Sequence, residues 1–293
     1  MKTQQAKNVL NRSGLAALSD LECSEQRAIF SILEKEQRAF LDRESEFRSE
    51  DYKWPRDPLH NWSRVWEYPY VYYHLATHFK ALPQNSGPIV ADVGSGVTFF
   101  PFSLAKLGYS VVCTDIDRIC ERDLALASAC VPHSPGTVEF RLIKNSNLPF
   151  RDSECDAVYC ISVLEHIPDF EETVAEIARI LKPGGLCLLT CDINLRPDDG
   201  LQLDRDGLAR LTSVIDKFFV RICPERTIPP VDILTTKNSR YPLTNATSGI
   251  IRQVWRLIKQ KILKPLLVRE PGNVSFAPPH VAVMGLALKK SEC

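Results

Sequence analysis

Apolar positions along this chain follow two periods. Between Ile89 and Thr190, short apolar runs alternate with stretches in which apolar residues recur every three or four positions. The runs predict strands at 89–93, 110–114, 137–143, 156–161 and 185–190, and the longer period predicts helices at about 100–107, 118–129 and 170–181. Gly108 follows one predicted helix, and Pro183-Gly184-Gly185 is expected to close another, as helix C-termini often require. Strands that alternate with helices imply parallel βαβ units with right-handed crossovers.

The flanks follow other patterns. Residues 24–50 carry Ile29, Ile32, Leu33, Phe40 and Phe47 on one side of a predicted helix. A loop is expected over 51–61, then an aromatic helix over 62–82, then a linker into the strand at Ile89. Beyond a helix predicted at 204–218, the segment 224–271 breaks the rhythm with Pro229-Pro230 and a Thr/Asn/Ser-rich turn region. Within 250–268, Arg252, Arg256, Lys259, Lys261 and Lys264 surround an apolar face, and no acid is present. The last apolar run, 281–289, reads as a strand. The expected divisions are a helical capping region at 1–82, a core at 83–223, an insertion at 224–275 and a returning strand at 276–293.

Composition narrows the class. Apolar content of 44% and charged content of 25% are those of a soluble globular protein, and 36 basic residues balance 36 acidic ones. That neutrality supplies no global attraction to nucleic acid, and none is expected as a partner. The ten cysteines form no CxxC pair, so neither a zinc site nor a redox motif is expected, and the metal expectation is none. The first residues lack a signal-peptide core and no apolar run spans a bilayer, so the expectation is cytoplasmic.

Ile89-Val-Ala-Asp92-Val-Gly94-Ser95-Gly96 is a strand that runs into a glycine turn. Glycine lets a ligand approach the backbone closely at the carboxyl end of a strand. Position 99 is Phe, so the third glycine of a dinucleotide fingerprint is missing, and no Gly-Lys-Ser/Thr ending supports a phosphate loop. Asp115 stands nineteen residues after Gly96, at the end of the next strand. An acid there can accept hydrogen bonds from both hydroxyls of a ribose. Asp117 fits a helix cap.

These residues resemble the class I S-adenosylmethionine-dependent methyltransferases, and specifically the type-11 methyltransferase domain. The likeness spans about residues 60–192 and resumes near 281–289. Asp92-Val-Gly-Ser-Gly96 resembles the family's first motif, and Asp115 its ribose acid. Leu148-Pro-Phe150, Cys155-Asp-Ala-Val158, Ser162-Val-Leu-Glu-His-Ile-Pro-Asp169 and Leu181-Lys-Pro-Gly-Gly-Leu186 resemble its later elements in order. The resemblance implies a Rossmann-like, doubly wound, seven-stranded α/β sheet whose last strand is antiparallel, with an N-terminal helical lid. It implies S-adenosylmethionine as cofactor and S-adenosylhomocysteine as product. The implied cofactor-binding residues are Asp92, Gly94, Ser95, Gly96, Asp115, Ile116 and Ser162. Arg64 or Tyr68 is expected to pair with the methionine carboxylate. Two positions depart from the family. Thr98 stands where a third glycine is frequent, and Asn145 stands near the usual adenine-contacting aspartate.

Holding the acceptor in line with an activated methyl is most of this chemistry. A base is needed only where the acceptor must lose a proton. His166 and Glu165 are the catalytic candidates, and both also fit an ordinary loop turn. Asp192, just past the fifth predicted strand, is a candidate for substrate contact. The expected function is methyl transfer to a small-molecule acceptor, with oxygen preferred over nitrogen or carbon. Two alternatives stand beside it: a lipid or lipid-linked sugar acceptor, with 250–268 lying on an anionic membrane surface, and a non-catalytic protein that binds the cofactor for regulation or assembly.

Overall fold

The computed structural model describes residues 8–80, 87–144, 147–195, 203–241 and 281–292. The apolar runs form the parallel strands of one sheet: β2 (Ile89–Val93), β3 (Ser110–Asp115), β4 (Thr137–Leu142), β5 (Cys155–Ile161) and β6 (Leu181–Asn194). They pair in parallel in the order β6-β5-β2-β3-β4. The final strand, β8 (Val281–Lys290), returns antiparallel beside β6. Because side chains alternate along a strand, each face buries its own set. Val90, Val111, Ala157 and Leu186 meet α1 (Ser24–Leu41), α3 (Arg64–Lys80), α4 (Phe100–Ala105) and α5 (Arg118–Cys130). Ala91, Val112, Val158 and Cys187 meet α6 (Phe170–Ile180) and α7 (Arg205–Phe218).

Among the described residues the sheet has eight strands rather than the expected seven. The outer edge of β8 is covered in sections by β1 (Gly14–Leu15), β7 (Phe219–Arg221) and a bridge from Thr235 to Ala282. An uncovered edge would offer unpaired N–H and C=O groups to another chain. Two other expectations shift. The helix expected over 24–50 divides at Asp42-Arg43 into α1 and α2 (Glu44–Phe47). Pro183-Gly184-Gly185 lies inside β6 rather than closing α6, and Leu181 already pairs with Cys155. Asn145 and the basic stretch 250–268 lie outside the described residues. No described helix is long and apolar enough to cross a membrane.

The N-terminal helices share the core of the sheet. Pro69 lies inside α3 and has no N–H to give to the carbonyl of Val65. Buried Gln26 of α1 donates to that carbonyl at 2.6 Å, which joins the two helices. Trp66 and Tyr70 of α3 stack at 4.6 Å and lie over Gly285 of β8. A Cβ at Gly285 would sit 2.7 Å from Trp66 and 2.8 Å from Tyr70. The indole N–H of Trp66 reaches Asp20 at 2.8 Å, and Asp20 pairs with buried Arg12.

Asp92 of β2 and Tyr159 of β5 are register neighbours. The Tyr159 hydroxyl donates to Asp92 Oδ2 at 2.7 Å, with both residues buried. Burial pushes the Asp92 carboxyl up to about 8; the Tyr159 hydrogen bond opposes this rise and nearby Asp115 adds to it.

Two predictions concern this framework. Gly285→Val should overpack the Trp66–Tyr70 stack and cost about 1–3 kcal/mol. Thermal unfolding would show a midpoint several degrees lower, and an unchanged midpoint would mean that the close approach is dispensable. Asp92 makes the protein more stable in acid. The unfolded carboxyl titrates near 3.8 and the folded one at about 8, so folding takes up a proton between those values. That contribution is complete below the lower value and is lost as pH rises through the upper one. Asp92→Asn should flatten this fall in a series of melts across pH, and an identical slope would contradict the assignment.

Candidate active site

The carboxyl ends of β2, β3, β5 and β6 converge on one edge of the sheet. At the end of β2 the chain turns through Gly94 (φ +75°) and Gly96 (φ +54°), backbone conformations that other residues rarely adopt. The amides of Gly94 and Ser95 both donate to the Thr114 carbonyl, at 2.9 and 3.0 Å. The Ser95 hydroxyl donates to the Gly96 carbonyl at 3.0 Å. The space beside Gly94, read from sequence as room for a cofactor, is filled by Val163: a Cβ at Gly94 would lie 2.6 Å from its Cγ2. A Cβ at Gly96 would lie 3.1 Å from the Tyr52 hydroxyl.

Asp115 closes the other side of the turn. Its Oδ2 accepts from the Gly96 amide and its Oδ1 from the Asp117 amide, both at 3.0 Å. Each carboxylate oxygen has a further lone pair, so the acid can still accept from a vicinal diol. Burial raises its pKa, and the amides of Asp117 and Gly96 oppose that rise. Ile116 is 72% exposed beside it and offers an apolar surface to a flat ring. Asp117 caps α5 by accepting from Ile119 at 2.9 Å. A nucleoside therefore fits this edge through a diol acceptor, an apolar platform and a glycine backbone. Asp92 lies beneath the turn, with its Oδ2 occupied by Tyr159.

Tyr68 is buried under the turn and packs at 4.7 Å on Phe100 and at 5.4 Å on Phe99. Burial raises the pKa of its hydroxyl, with Arg64 and the Thr98 side chain opposing the rise. Arg64, four residues earlier on α3, lies at the site. Its Nη1 donates to Ser162 Oγ at 2.7 Å and pairs with Glu67.

Sequence reasoning missed Glu67. It is fully buried, and its Oε1 accepts from the Ser162 and Thr190 hydroxyls, each at 2.6 Å. The available signal was a single acid inside the aromatic run Val65-Trp66-Glu67-Tyr68, three residues after Arg64. Ser162 itself adopts φ +47°, a strained conformation for a residue with a side chain.

Glu165 and Asp192 meet next to this cluster. Glu165 Oε1 accepts from the Asp192 amide at 3.0 Å. Part of each residue reaches the surface, yet Glu165 Oε2 and Asp192 Oδ1 are buried with no hydrogen-bond partner among the described residues. Burial raises Glu165 to about 7. Asp192 is raised well above the usual carboxylate range by burial, then by Glu165 and Glu67, with Arg64 opposing. The two carboxyls thus titrate as a linked pair, each binding its proton more tightly than an ordinary carboxylate. His166 moves the other way: burial, aided by the Arg64 charge, lowers it to about 4. Its imidazole is neutral at pH 7 and is a weaker base than the carboxyl pair. No group of three or more His, Cys, Asp or Glu suited to a metal occurs among the described residues.

Comparison with known proteins finds the following similarities. Residues 91–189 match the family model described as a methyltransferase domain. A ubiquinone biosynthesis O-methyltransferase of Rhizobium rhizogenes is 29% identical over 133 residues, 44% of this chain and 52% of that protein. The chain thus spans about half the length of that relative. A protein of the same name from Xanthomonas axonopodis pv. citri is 27% identical over 69% of this chain and 78% of its own length. A solved S-adenosylmethionine-dependent methyltransferase from Aquifex aeolicus is 14% identical, with a TM-score of 0.38 over 73% of this chain and 88% of that one. The glycine turn, Asp115 and the loop after β5 all fall within the segment that matches the methyltransferase-domain family.

Proposed function

We propose that this protein binds S-adenosylmethionine at the carboxyl edge of its sheet and methylates a small-molecule acceptor, with oxygen as the preferred atom. The observation that carries this reading is the turn at Gly94 and Gly96, whose Gly96 amide is held by Asp115 beside exposed Ile116. In this reading Asp115 accepts the ribose hydroxyls and Ile116 covers the base. The backbone at Ser95 and Gly96 borders the rest of the ligand, and Arg64 attracts the methionine carboxylate. Ser162 holds Arg64 in place. Asn145 belongs to the same set on sequence grounds. The cofactor, when bound, supplies an activated methyl group. The names of the relatives support an oxygen acceptor.

The acceptor side falls to Glu165, Asp192 and His166. A hydroxyl acceptor must give up its proton, and Glu165 Oε2 is a buried acceptor atom without a partner. A carboxyl raised to about 7 matches a general base working near neutral pH. The Asp192 amide opposes that rise, Glu165 in turn raises the proton affinity of the Asp192 carboxyl, and burial keeps His166 neutral beside them. The N-terminal helices act as a lid in this reading: α3 carries Arg64 and Glu67 to the edge.

Calorimetry with S-adenosylmethionine and S-adenosylhomocysteine tests the cofactor, and the absence of heat would refute the proposal. Asp115→Ala should weaken binding by roughly 1–3 kcal/mol, the scale of hydrogen bonds to a charged group; unchanged affinity would show that the diol lies elsewhere. An extract-wide search with a labelled methyl donor should yield a small labelled product. With that acceptor, Glu165→Gln should lower kcat by about 100-fold or more while cofactor affinity is retained. A kcat equal to that of the unmodified protein would remove Glu165 from the proton path.

A further inference from the structure

The glycine turn is held from a second side by a segment that lies far from it in sequence. Arg48 follows α2, and its side chain is only 2% exposed. Its Nη1 donates to the Val97 carbonyl at 2.9 Å and its Nε to Glu44 at 2.9 Å. The guanidinium lies 4.3 Å from the Tyr52 ring centroid and 5.3 Å from that of Phe47. Its Nη2 is buried without a hydrogen-bond partner among the described residues. The Tyr52 hydroxyl accepts from the Val97 amide at 2.9 Å and would lie 3.1 Å from a Cβ at Gly96. Ser49, between them, donates its amide at 2.8 Å to Asp123, a fully buried acid on α5. Phe47 anchors the segment against Phe40 at 4.7 Å, and Phe40 packs on Phe102 of α4.

We infer that Arg48 and Tyr52 are positioning residues for the cofactor site, clamping both backbone groups of Val97 so that ligand binding and the order of residues 44–52 are coupled. The inference rests on the cofactor reading above. Asp115 fixes the Gly96 amide from the β3 side, and Tyr52 with Arg48 fixes the next peptide from the opposite side. Two left-handed glycines, one on each side of Ser95, leave a turn with many accessible conformations, and a ligand that reads the backbone selects one of them. The clamp selects that conformation in advance. Because coupling is reciprocal, a ligand on the turn steadies the clamp by the same free energy.

Tyr52→Phe removes one hydroxyl and leaves the ring in place. S-adenosylhomocysteine should bind about tenfold more weakly by calorimetry, the scale of one buried hydrogen bond. Amide exchange should quicken at Val97 in the free variant. In the unmodified protein the same ligand should slow exchange across residues 44–52, and in Tyr52→Phe this protection should shrink while the melting midpoint stays within a few degrees. Arg48→Lys keeps the charge but loses the two-point fork, and it should reproduce the affinity loss. Affinity unchanged from the unmodified protein in both variants, or no ligand-dependent protection of 44–52 in the unmodified protein, would overturn the inference. If the unmodified protein gave no heat with S-adenosylhomocysteine, the cofactor reading itself would fall, and this inference with it.

Discussion

Glu67 carries a charge into the interior of the protein and is matched there on every side. Its carboxylate receives the hydroxyls of Ser162 and Thr190 and pairs with Arg64. A buried carboxylate without such partners would cost several kcal/mol. The match therefore sets the position of α3 against the ends of β5 and β6. It fixes the rotamer of Ser162, which sits in a strained backbone conformation. It also leaves Arg64 facing the edge where Glu165, Asp192 and His166 gather. The stack of Trp66 and Tyr70 on Gly285 supplies the apolar half of the same docking.

From this constraint come two kinds of acid at one sheet edge. Asp115 is held by backbone amides and stands next to an exposed isoleucine, an environment suited to polar recognition of a nucleoside. Glu165 and Asp192 lie close together, each with a buried oxygen that has no partner among the described residues, an environment that favours holding a proton. Separate environments for chemically similar groups are how a site divides recognition from proton transfer. The neutral His166 fits the same logic, since a cation beside Arg64 would be opposed by burial and by charge.

Much of this was legible in the amino-acid sequence, for a physical reason. Inner parallel strands are buried on both faces, so β2, β3 and β5 appear as unbroken apolar runs. The glycine turn and Asp115 are local to those runs and could be read with them. Asp117 likewise was legible as a cap. The two-residue β1 and three-residue β7 were not, because they are defined only by pairing with β8. Glu67 was missed because its partners lie 95 and 123 residues away. Arg48 and Tyr52 meet Val97 across 49 and 45 residues and carry no motif. At Gly94 the sequence indicated the need for glycine but not its cause, which is the side chain of Val163.

The central claim is that the ligand-binding edge is the one formed by the glycine turn and Asp115. Backbone amide shifts followed during titration with S-adenosylhomocysteine test it most directly. The account predicts saturable changes centred on Gly94, Gly96, Asp115 and Ile116 and extending to Ser162. Changes centred instead on the surface groove of Arg141, Phe150 and Arg151, or no changes at all, would contradict it.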